Sequence, residues 1–452
     1  MGIYFYPRGG SAHVCRAIAR ELARNGVRVA LLAGSRSDLG EAALASAFYE
    51  GLELRAVDFT PAIRSERPLR YEGGPWAAPV HGSYEDRPGA VDPVLARLDD
   101  GELELQVAAW GAALEAAAAP GVDALYLHHL TPLNEAAARV LPGVPVVGHV
   151  HGTELLMLER IEAGAPAGWS HAAEWAERMR RWAAACERIV VNDPDGLARA
   201  AALLHLDAGR FACIPNGFDA AFAPGPVDRH AHWRRHLVER PRGWRPDGPP
   251  GSAAHAERDL EALEGVVLLA VGRFPAVKRL PLLIEAFAAA RERLRERAAL
   301  VLVGGHPGEW EEEHPWEAVA RTGARGVFLA GWHGHGELPA FLRAGDVLVH
   351  ASVREQFGTV LVEAMACGLP VIAVDRGGPA TIVGGSGAGW LVAPDDRAAL
   401  TAAIVAAVDD HGERRRRARR AREHALADYS WSRIGRRLAQ LIGTVGGNAS
   451  TR

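Results

Sequence analysis

The sequence predicts an α/β protein built from two doubly wound, Rossmann-like domains with parallel sheets. Short β-branched segments alternate with helical segments rich in Ala, Leu, Arg and Glu, which is typical of βαβ units. This alternation occurs twice, and the segment 224–261, rich in Pro, Gly, His, Trp and Arg, separates the two halves. The length of 452 residues suits two domains that each bury a core.

The periodicity predicts the elements in order. In the first half, strands are expected at 3–6, 28–33, 52–57, 124–128, 144–150, 188–192 and 211–215, with helices at 11–25, 93–118 and 170–186. In the second half, strands are expected at 266–272, 299–304, 327–331, 347–351, 370–375 and 390–393, with a helix at 280–290. We therefore expect domains over 1–220 and 263–428, a linker or insertion over 221–262, and a terminal helix over 429–452 that returns toward the first domain.

Composition and charge exclude several classes of protein. The 51 Lys and Arg residues against 55 Asp and Glu residues give a net charge of −4, so nucleic acid is not an expected partner. Four cysteines without C-x-x-C spacing argue against a disulfide framework or a structural zinc site. No apolar run reaches the roughly 18 residues that a membrane span needs, and the first residues lack a signal-peptide core. We expect a cytoplasmic protein, with a peripheral membrane contact unsupported by the sequence.

A single lysine, Lys278, stands among 50 arginines. A compositional bias toward Arg replaces Lys wherever either cation serves, so the survivor is a candidate for a role that a planar guanidinium cannot fill. Lys278 and Arg273 follow the predicted strand 266–272 on one loop, where two cations can neutralise a diphosphate. Chance survival of a surface lysine is the alternative.

Other strand ends carry polar or flexible residues. Gly9 and Gly10 follow the first strand and open a helix, which permits anion binding or only a tight turn. His151 follows the strand 144–150, and His128 and His129 end the strand before it; a substrate contact and a structural role both fit. No metal site is expected there, because no carboxylate lies at ligand spacing on the same element. The segment 61–89 is expected to be either a substrate-binding loop or disordered.

Two glutamates flank a helix start in the second half. Glu355 precedes the expected helix and Glu363 lies about two turns inside it, while Phe357, Gly358 and Thr359 offer free backbone N–H groups. Burying a glutamate within the apolar stretch 360–365 would cost free energy unless the carboxylate had a partner. This cost favours a functional role for Glu363, such as binding a sugar hydroxyl, over a residue without a role. Pairing with an arginine is the structural alternative.

Together these motifs resemble the retaining glycosyltransferases of family 4, the glycogen-synthase-like and mannosyltransferase-like enzymes, which have the GT-B fold. The resemblance covers nearly the whole chain: Gly9-Gly10, His151-Gly152, Ile-Pro-Asn-Gly-Phe-Asp at 214–219, the segment 271–278, and the two glutamates of 355–363. It implies an acceptor-binding first domain and a nucleotide-sugar-binding second domain that face each other across a cleft.

The resemblance also implies roles for individual residues. Arg273 and Lys278 would bind the donor diphosphate, Glu363 the ribose, and Glu355 with the backbone of Phe357, Gly358 and Thr359 the transferred sugar. His151 would contact the sugar or the acceptor at the reacting centre. Trp332 or His333 would lie near the base. Catalysis would then depend on His151, Glu355, Arg273 and Lys278, without a metal or a cofactor other than the nucleotide-sugar co-substrate.

The expected reaction is hexosyl transfer with retention from a nucleotide-diphosphate sugar, UDP-linked or alternatively GDP-linked, to a small-molecule, glycan or lipid-linked hydroxyl. Two departures from the family pattern leave the identity of the donor open. Where the family often has Glu-Gly-Phe-Gly, this chain has Gln356 in place of the first glycine. Where the family often has Gly-Gly-x-x-Glu, the segment 377–381 ends in Thr381 and lacks the glutamate. A nucleotide-sugar epimerase and a non-catalytic nucleotide-sugar-binding protein are alternatives. A nicotinamide-dependent oxidoreductase is a weaker one, because the chain has no G-x-G-x-x-G.

Overall fold

The computed structural model describes residues 1–74, 76–86, 91–308 and 310–447. It contains two parallel β-sheets. The sheets lie in two separate compact units. One unit contains Met1–Asn216 and the terminal segment that begins at Trp431, and the other contains Gly217–Ser430. The prediction of two doubly wound parallel sheets is confirmed.

The first unit has a seven-stranded sheet in the order β3-β2-β1-β4-β5-β6-β7. Its strands are β1 Gly2–Ile3, β2 Ala30–Ser35, β3 Glu53–Asp58, β4 Leu125–His128, β5 Val146–His149, β6 Arg188–Val191 and β7 Phe211–Cys213. Its helices are α1 Gly9–Arg24, α2 Ala45–Phe48, α3 Thr60–Ile63, α4 Asp100–Ala118, α5 Pro132–Val140, α6 Thr153–Glu162, α7 Ala172–Ala185 and α8 Pro194–Leu204.

The second unit has a six-stranded sheet in the order β10-β9-β8-β11-β12-β13. Its strands are β8 Val266–Val271, β9 Ala298–Val303, β10 Val327–Gly331, β11 Val347–His350, β12 Val371–Val374 and β13 Gly389–Val392. Its helices are α9 Arg229–Arg234, α10 Leu280–Arg291, α11 Pro315–Thr322, α12 Leu338–Ala344, α13 Thr359–Ala366, α14 Gly377–Val383, α15 Arg397–Asp409 and α16 His411–Asp428.

The last helix, α17 (Trp431–Gly447), belongs to the first unit. Ile434 and Leu438 are buried in a cluster that includes Val14 and Ile18 of α1. The helix is amphipathic, so burying its apolar face against α1 is what holds it there. Residues 448–452 of the predicted terminal helix lie outside the described residues.

The segment 221–262, expected to be a linker or insertion, folds as part of the second unit. It forms α9, a π-helical turn at Arg235–Glu239 and a 3-10 helix at Glu257–Glu264. Trp233, Leu237 and Trp244 are almost fully buried in the two cores of that unit. Val267 and Leu269 of β8 belong to one of these cores and Leu268 to the other, so the segment packs against both faces of the second sheet.

The segment 61–89 also packs more closely than either expectation implied, in its described part. His81 and Tyr84 are buried, and the Tyr84 hydroxyl donates to the Leu130 carbonyl at 2.6 Å. Positions 75 and 87–89 lie outside the described residues. Within the described part of the chain, no helix is both long and apolar enough to cross a membrane.

Candidate active site

The predicted diphosphate loop lies where the strand order of the second sheet reverses. β8 pairs with β9 on one side and with β11 on the other, so the connections after β8 and β11 leave the sheet at its switch point. Ligands of open parallel sheets bind beyond the carboxyl ends of strands at such a point. Arg273 and Lys278 follow β8, and Glu355 follows β11.

Lys278 and Glu355 form an ion pair at this point. Lys278 Nζ donates to Glu355 Oε2 at 2.5 Å, and both side chains are about four-fifths buried. His350 Nε2 lies 3.2 Å from the same carboxylate oxygen. Burial alone would raise the pKa of Glu355, but the Lys278 ammonium and the contact with His350 hold that pKa well below its usual range. The carboxylate is thus ionised throughout the neutral range.

The Lys278 side chain passes close to Gly272. Gly272 has a φ of 148°, and a Cβ there would lie 3.6 Å from Lys278 Cε. Arg273 is exposed, and no ion pair or hydrogen bond of its guanidinium is present among the described residues. Because Glu355 balances the charge of Lys278, Arg273 contributes the uncompensated positive charge of this loop.

The start of α13 places backbone N–H groups next to this ion pair. Phe357 is buried, Gly358 caps the helix with a φ of 90°, and Thr359 is its first residue. A Cβ on Gly358 would meet Leu361 Cδ1 at 3.0 Å and Glu355 Cγ at 3.4 Å. A glycine is required here both for the left-handed backbone and for the close approach.

Glu363 on α13 is buried and accepts a hydrogen bond from a histidine. His335 Nε2 lies 2.7 Å from Glu363 Oε1, and the Glu363 side chain is 5% exposed. The expected structural alternative was pairing with an arginine, whereas the partner is His335, from the loop after β10. His335 therefore lies against the carboxylate expected to hold the ribose.

The two candidates for the base subsite differ in exposure. Trp332 is 53% exposed, whereas the His333 side chain is fully buried. His333 Nε2 donates to the Ala330 carbonyl at 3.3 Å, and its Nδ1 accepts from Arg242 at 3.2 Å. Both nitrogens of His333 already have protein partners, so Trp332 is the candidate with a free surface.

The remaining candidates lie in the first unit. Gly9 begins α1 with a φ of 66°, and nothing lies within 4 Å of a Cβ built on Gly9 or Gly10, so the backbone there is open to a ligand. Arg8 precedes them and pairs with Asp92 at 3.4 Å. The strand reversal of this sheet falls between β1 and β4; Gly9 follows β1, and His128 ends β4.

His151 lies in an array of imidazoles after β4 and β5. His128 Nδ1 and His151 Nε2 are 2.9 Å apart, and His129 Nδ1 donates to Glu154 Oε1 at 2.6 Å. His128, His149 and His151 have nitrogens within 4.8 Å of one another, a set with metal-ligating chemistry. In this structure, however, the array is joined by hydrogen bonds: both nitrogens of His149 have protein partners, and His128 contacts His151 directly. The absence of a metal requirement stays a prediction.

Two histidines of the second unit were not among the sequence candidates. His350 ends β11 and His335 follows β10, so both lie at strand ends, as His151 does. The same pattern of a histidine at a strand end is therefore visible in the sequence of the second half. Their carboxylate partners could not have been found in this way, because the contacts join residues on different elements.

Two doubly wound parallel sheets, one in each unit, define the fold class, which is GT-B. The solved structure of Anabaena HepE in complex with UDP has this fold, with a TM-score of 0.67 and 18% identity over 98% of this chain and 99% of that chain. The structure of the same protein with UDP-glucose covers 98% of this chain and all of that chain, with a TM-score of 0.62 and 17% identity.

Sequence comparison gives the family. The model for glycosyl transferases group 1 matches residues 254–424, and the model for glycosyltransferase family 4 matches residues 8–222. D-inositol 3-phosphate glycosyltransferase of Geodermatophilus obscurus is 31% identical in an alignment of 395 positions that covers 84% of this chain and 78% of that protein. The chain belongs to glycosyltransferase family 4. The match to D-inositol 3-phosphate glycosyltransferase of Salinispora tropica, 36% identical, spans 42% of this chain and 40% of that protein.

Proposed function

We propose that this protein transfers a hexosyl unit from a nucleotide-diphosphate sugar to a hydroxyl acceptor, with retention and without a metal. The observation that carries the proposal is the Lys278–Glu355–His350 contact set beside the exposed Arg273 at the strand reversal of the second sheet. A UDP-sugar is the favoured donor, because HepE of the same fold has been solved with UDP and with UDP-glucose. A GDP-sugar is the second candidate.

The ion pair supports both halves of donor binding. An ammonium has three donors, and one of them is used by Glu355, so Lys278 keeps donors for phosphate oxygens. Glu355 is ionised and keeps lone pairs for sugar hydroxyls. The N–H groups at the start of α13 and the Arg273 guanidinium add positive charge where the diphosphate would leave.

Transfer then proceeds on one face of the sugar. The bond between the anomeric carbon and the phosphate oxygen breaks, and its electron pair stays on the departing nucleoside diphosphate. The acceptor oxygen bonds to the anomeric carbon from the same face, and its proton passes to a phosphate oxygen of the leaving group. Arg273 and Lys278 stabilise the charge that develops on that group.

The first experiment identifies the donor and then the reaction. A panel of UDP-, GDP- and ADP-linked hexoses is screened by thermal shift, and the stabilising donor is incubated with hydroxyl acceptors that include inositol phosphates, in buffer with EDTA. We expect nucleoside diphosphate release that depends on the acceptor, and a product whose anomeric configuration by NMR matches the donor.

Other results assign other functions. Conversion of the donor sugar without an acceptor indicates an epimerase. Stabilisation by a donor without release of nucleotide with any acceptor indicates a binding protein. An inverted product, or activity that EDTA abolishes and a divalent cation restores, contradicts the proposed mechanism.

Arg325→Lys, which changes an exposed arginine of the same unit, serves as the matched control for every cation substitution.

A further inference from the structure

The histidine array of the first unit contains a direct imidazole-to-imidazole hydrogen bond. His128 ends β4, and His151 follows β5. Their nitrogens, His128 Nδ1 and His151 Nε2, lie 2.9 Å apart, and the rings are inclined by only 22°. One of the two nitrogens must carry the proton in this bond, and the choice fixes which nitrogen of His151 is left for a ligand.

For the neighbouring ring, His149, the hydrogen-bond partners determine which nitrogen carries the proton. His149 Nε2 lies 3.0 Å from Asn192 Oδ1, and its Nδ1 lies 2.9 Å from the Tyr126 hydroxyl. An amide oxygen only accepts, so Nε2 of His149 carries the proton and Nδ1 accepts from Tyr126. This arrangement also gives the Tyr126 hydrogen an acceptor.

The surroundings favour the neutral form of all three rings at physiological pH. Burial lowers the pKa of His149 to about 4, and burial together with the neighbouring imidazoles lowers the pKa of His128 and of His151 well below the usual value. Each neutral ring has one donor and one acceptor nitrogen. The hydrogen bond between His128 and His151 therefore has two possible directions.

The buried end of His128 distinguishes them. His128 is 0% exposed, and its Nε2 has no hydrogen-bond partner among the described residues. If His151 donated, His128 would have to carry its proton on Nε2, which would leave a buried N–H group without an acceptor. If His128 donates through Nδ1, only a lone pair is left there. Orphaned buried N–H groups are rarer in proteins than under-satisfied acceptors.

We propose that His128 is a positioning residue: its Nδ1–H donates to His151 Nε2 and holds His151 in the tautomer that carries the proton on Nδ1. His151 is half-buried, and its Nδ1 has no protein partner among the described residues. The N–H group at Nδ1 then donates to an oxygen of the bound sugar or acceptor.

This assignment excludes one role for His151. Its Nε2 lone pair is occupied by His128 and its Nδ1 carries a proton, so neutral His151 has no free lone pair with which to remove a proton from the acceptor. It acts as a donor that orients a substrate oxygen. The assignment rests on the proposed function for its catalytic meaning, and it agrees with a phosphate oxygen receiving the acceptor proton.

The tautomer is measured directly on the full chain. Protein labelled with ¹⁵N in histidine is studied at pH 7.5 by two-bond ¹H–¹⁵N correlation, with His151 and His128 signals assigned from His151→Gln and His128→Asn. We expect protonated nitrogens at Nδ1 of both rings. Protonation at Nε2 of His151 overturns the proposal, as do signals of this pair that change when a chelator removes a bound metal.

Two substitutions of His128 separate positioning from packing. His128→Asn keeps an N–H donor near the place of Nδ1, whereas His128→Phe keeps the ring and removes the donor. With the donor sugar identified above, we expect kcat to fall by at least about tenfold in the Phe variant, with KM for the acceptor little changed, and to recover in the Asn variant, since a histidine in the wrong tautomer loses rate steeply. Equal kcat in both variants overturns the proposal.

The two measurements fail separately. The NMR result holds or falls without any substrate, so it tests the tautomer even if no sugar is transferred. If no nucleotide sugar binds or reacts while His151 is protonated at Nδ1, the proposed function fails and the tautomer assignment stands. If transfer occurs and His151 is protonated at Nε2, the proposed function stands and the role of His128 does not.

Discussion

At the scale of the residue, charge and shape at Lys278 matter separately. The ammonium bonds Glu355 at 2.5 Å, and its Cε lies 3.6 Å from the place that a Cβ on Gly272 would occupy. A guanidinium carries the same charge but is planar and larger, so it does not fit the same contacts. A substitution that conserves charge at this position is therefore not conservative in geometry.

We expect Lys278→Arg to lower the rate of nucleoside diphosphate release by roughly two to three decades. Losing one charge-assisted contact in a water-poor site costs about 2–4 kcal/mol of barrier. The rate is measured at saturating donor, with Arg325→Lys as the control that should retain full activity. Near-wild-type turnover of Lys278→Arg would show that this ammonium does not contact the leaving group.

Glu355 makes a pH-dependent contribution to stability. Its folded-state pKa lies below the usual value of 4.5, so the contribution is complete above that value and is lost as the pH falls toward the folded-state pKa. We expect Glu355→Gln to be less stable than the wild type at pH 7 and the difference to shrink steadily from pH 4.5 downward. Urea unfolding at several pH values measures it, and a difference that grows toward acid pH would contradict the assignment.

At the scale of the element, the start of α13 depends on one backbone conformation. Gly358 holds a φ of 90°, and a Cβ added to it would lie close to Leu361 and Glu355, so the helix N-terminus and the ion pair depend on the same turn. Any side chain at this position strains the backbone and moves both features.

We expect Gly358→Ala to lower the free energy of unfolding by about 1–2 kcal/mol and to weaken nucleotide-sugar binding. Gly336→Ala is the matched control, because Gly336 lacks a positive φ and nothing lies within 4 Å of its added Cβ. Denaturant unfolding and titration calorimetry are the measurements. If both variants bound the nucleotide sugar with equal affinity, the turn at Gly358 would not contribute to donor binding.

The segment 221–262 is a structural element of the second unit. Trp244 is 1% exposed and packs on Phe274 and His314, with ring centroids 5.9 and 4.3 Å away. Phe274 directly follows Arg273, so this tryptophan packs against a residue of the loop that carries Arg273 and Lys278.

We expect Trp244→Ala to destabilise the second unit by about 3–5 kcal/mol, because it removes a large buried side chain, and Trp244→Phe to cost less. Hydrogen exchange followed by mass spectrometry reports the loss in the strands of the second sheet. If Trp244→Ala lowered the free energy of unfolding by less than about 1 kcal/mol, the packing of this segment would contribute little to the stability of the second unit.

At the scale of the whole molecule, the chain leaves the first unit at Asn216 and returns to it at Trp431. The first unit is thus completed only when the last helix docks. Leu438 is 1% exposed in the cluster that joins α17 to the residues Val14 and Ile18 of α1.

We expect Leu438→Ala to destabilise the first unit by about 2–5 kcal/mol while leaving the second unit's hydrogen exchange unchanged. Gln440→Ala, an exposed position of the same helix, is the control. Hydrogen exchange resolved by peptide distinguishes the units. Parallel losses in both units would show that they unfold as one cooperative body.

Most of the fold could be predicted from the sequence, within limits that have local causes. The strands of the second half were predicted to within a residue or two, because buried parallel strands are uninterrupted apolar runs. The first strand was predicted at 3–6, whereas β1 is Gly2–Ile3, since Tyr4 and Phe5 are buried by ring packing rather than by strand pairing. The sequence predicts a linker or an insertion over 221–262, because the buried tryptophans of this segment have no helical or strand period.

Periodicity and turn residues act over neighbouring positions, so the amino-acid pattern predicts the two doubly wound sheets, the family, and the strand ends that carry Lys278, Glu355 and His151. The partners of the polar side chains depend on the folded chain: Lys278 for Glu355 across 77 positions, His335 for Glu363 across 28, and His128 for His151 across 23. These contacts arise because parallel strands bring distant residues to one edge of a sheet, and a buried polar group must find its partner there.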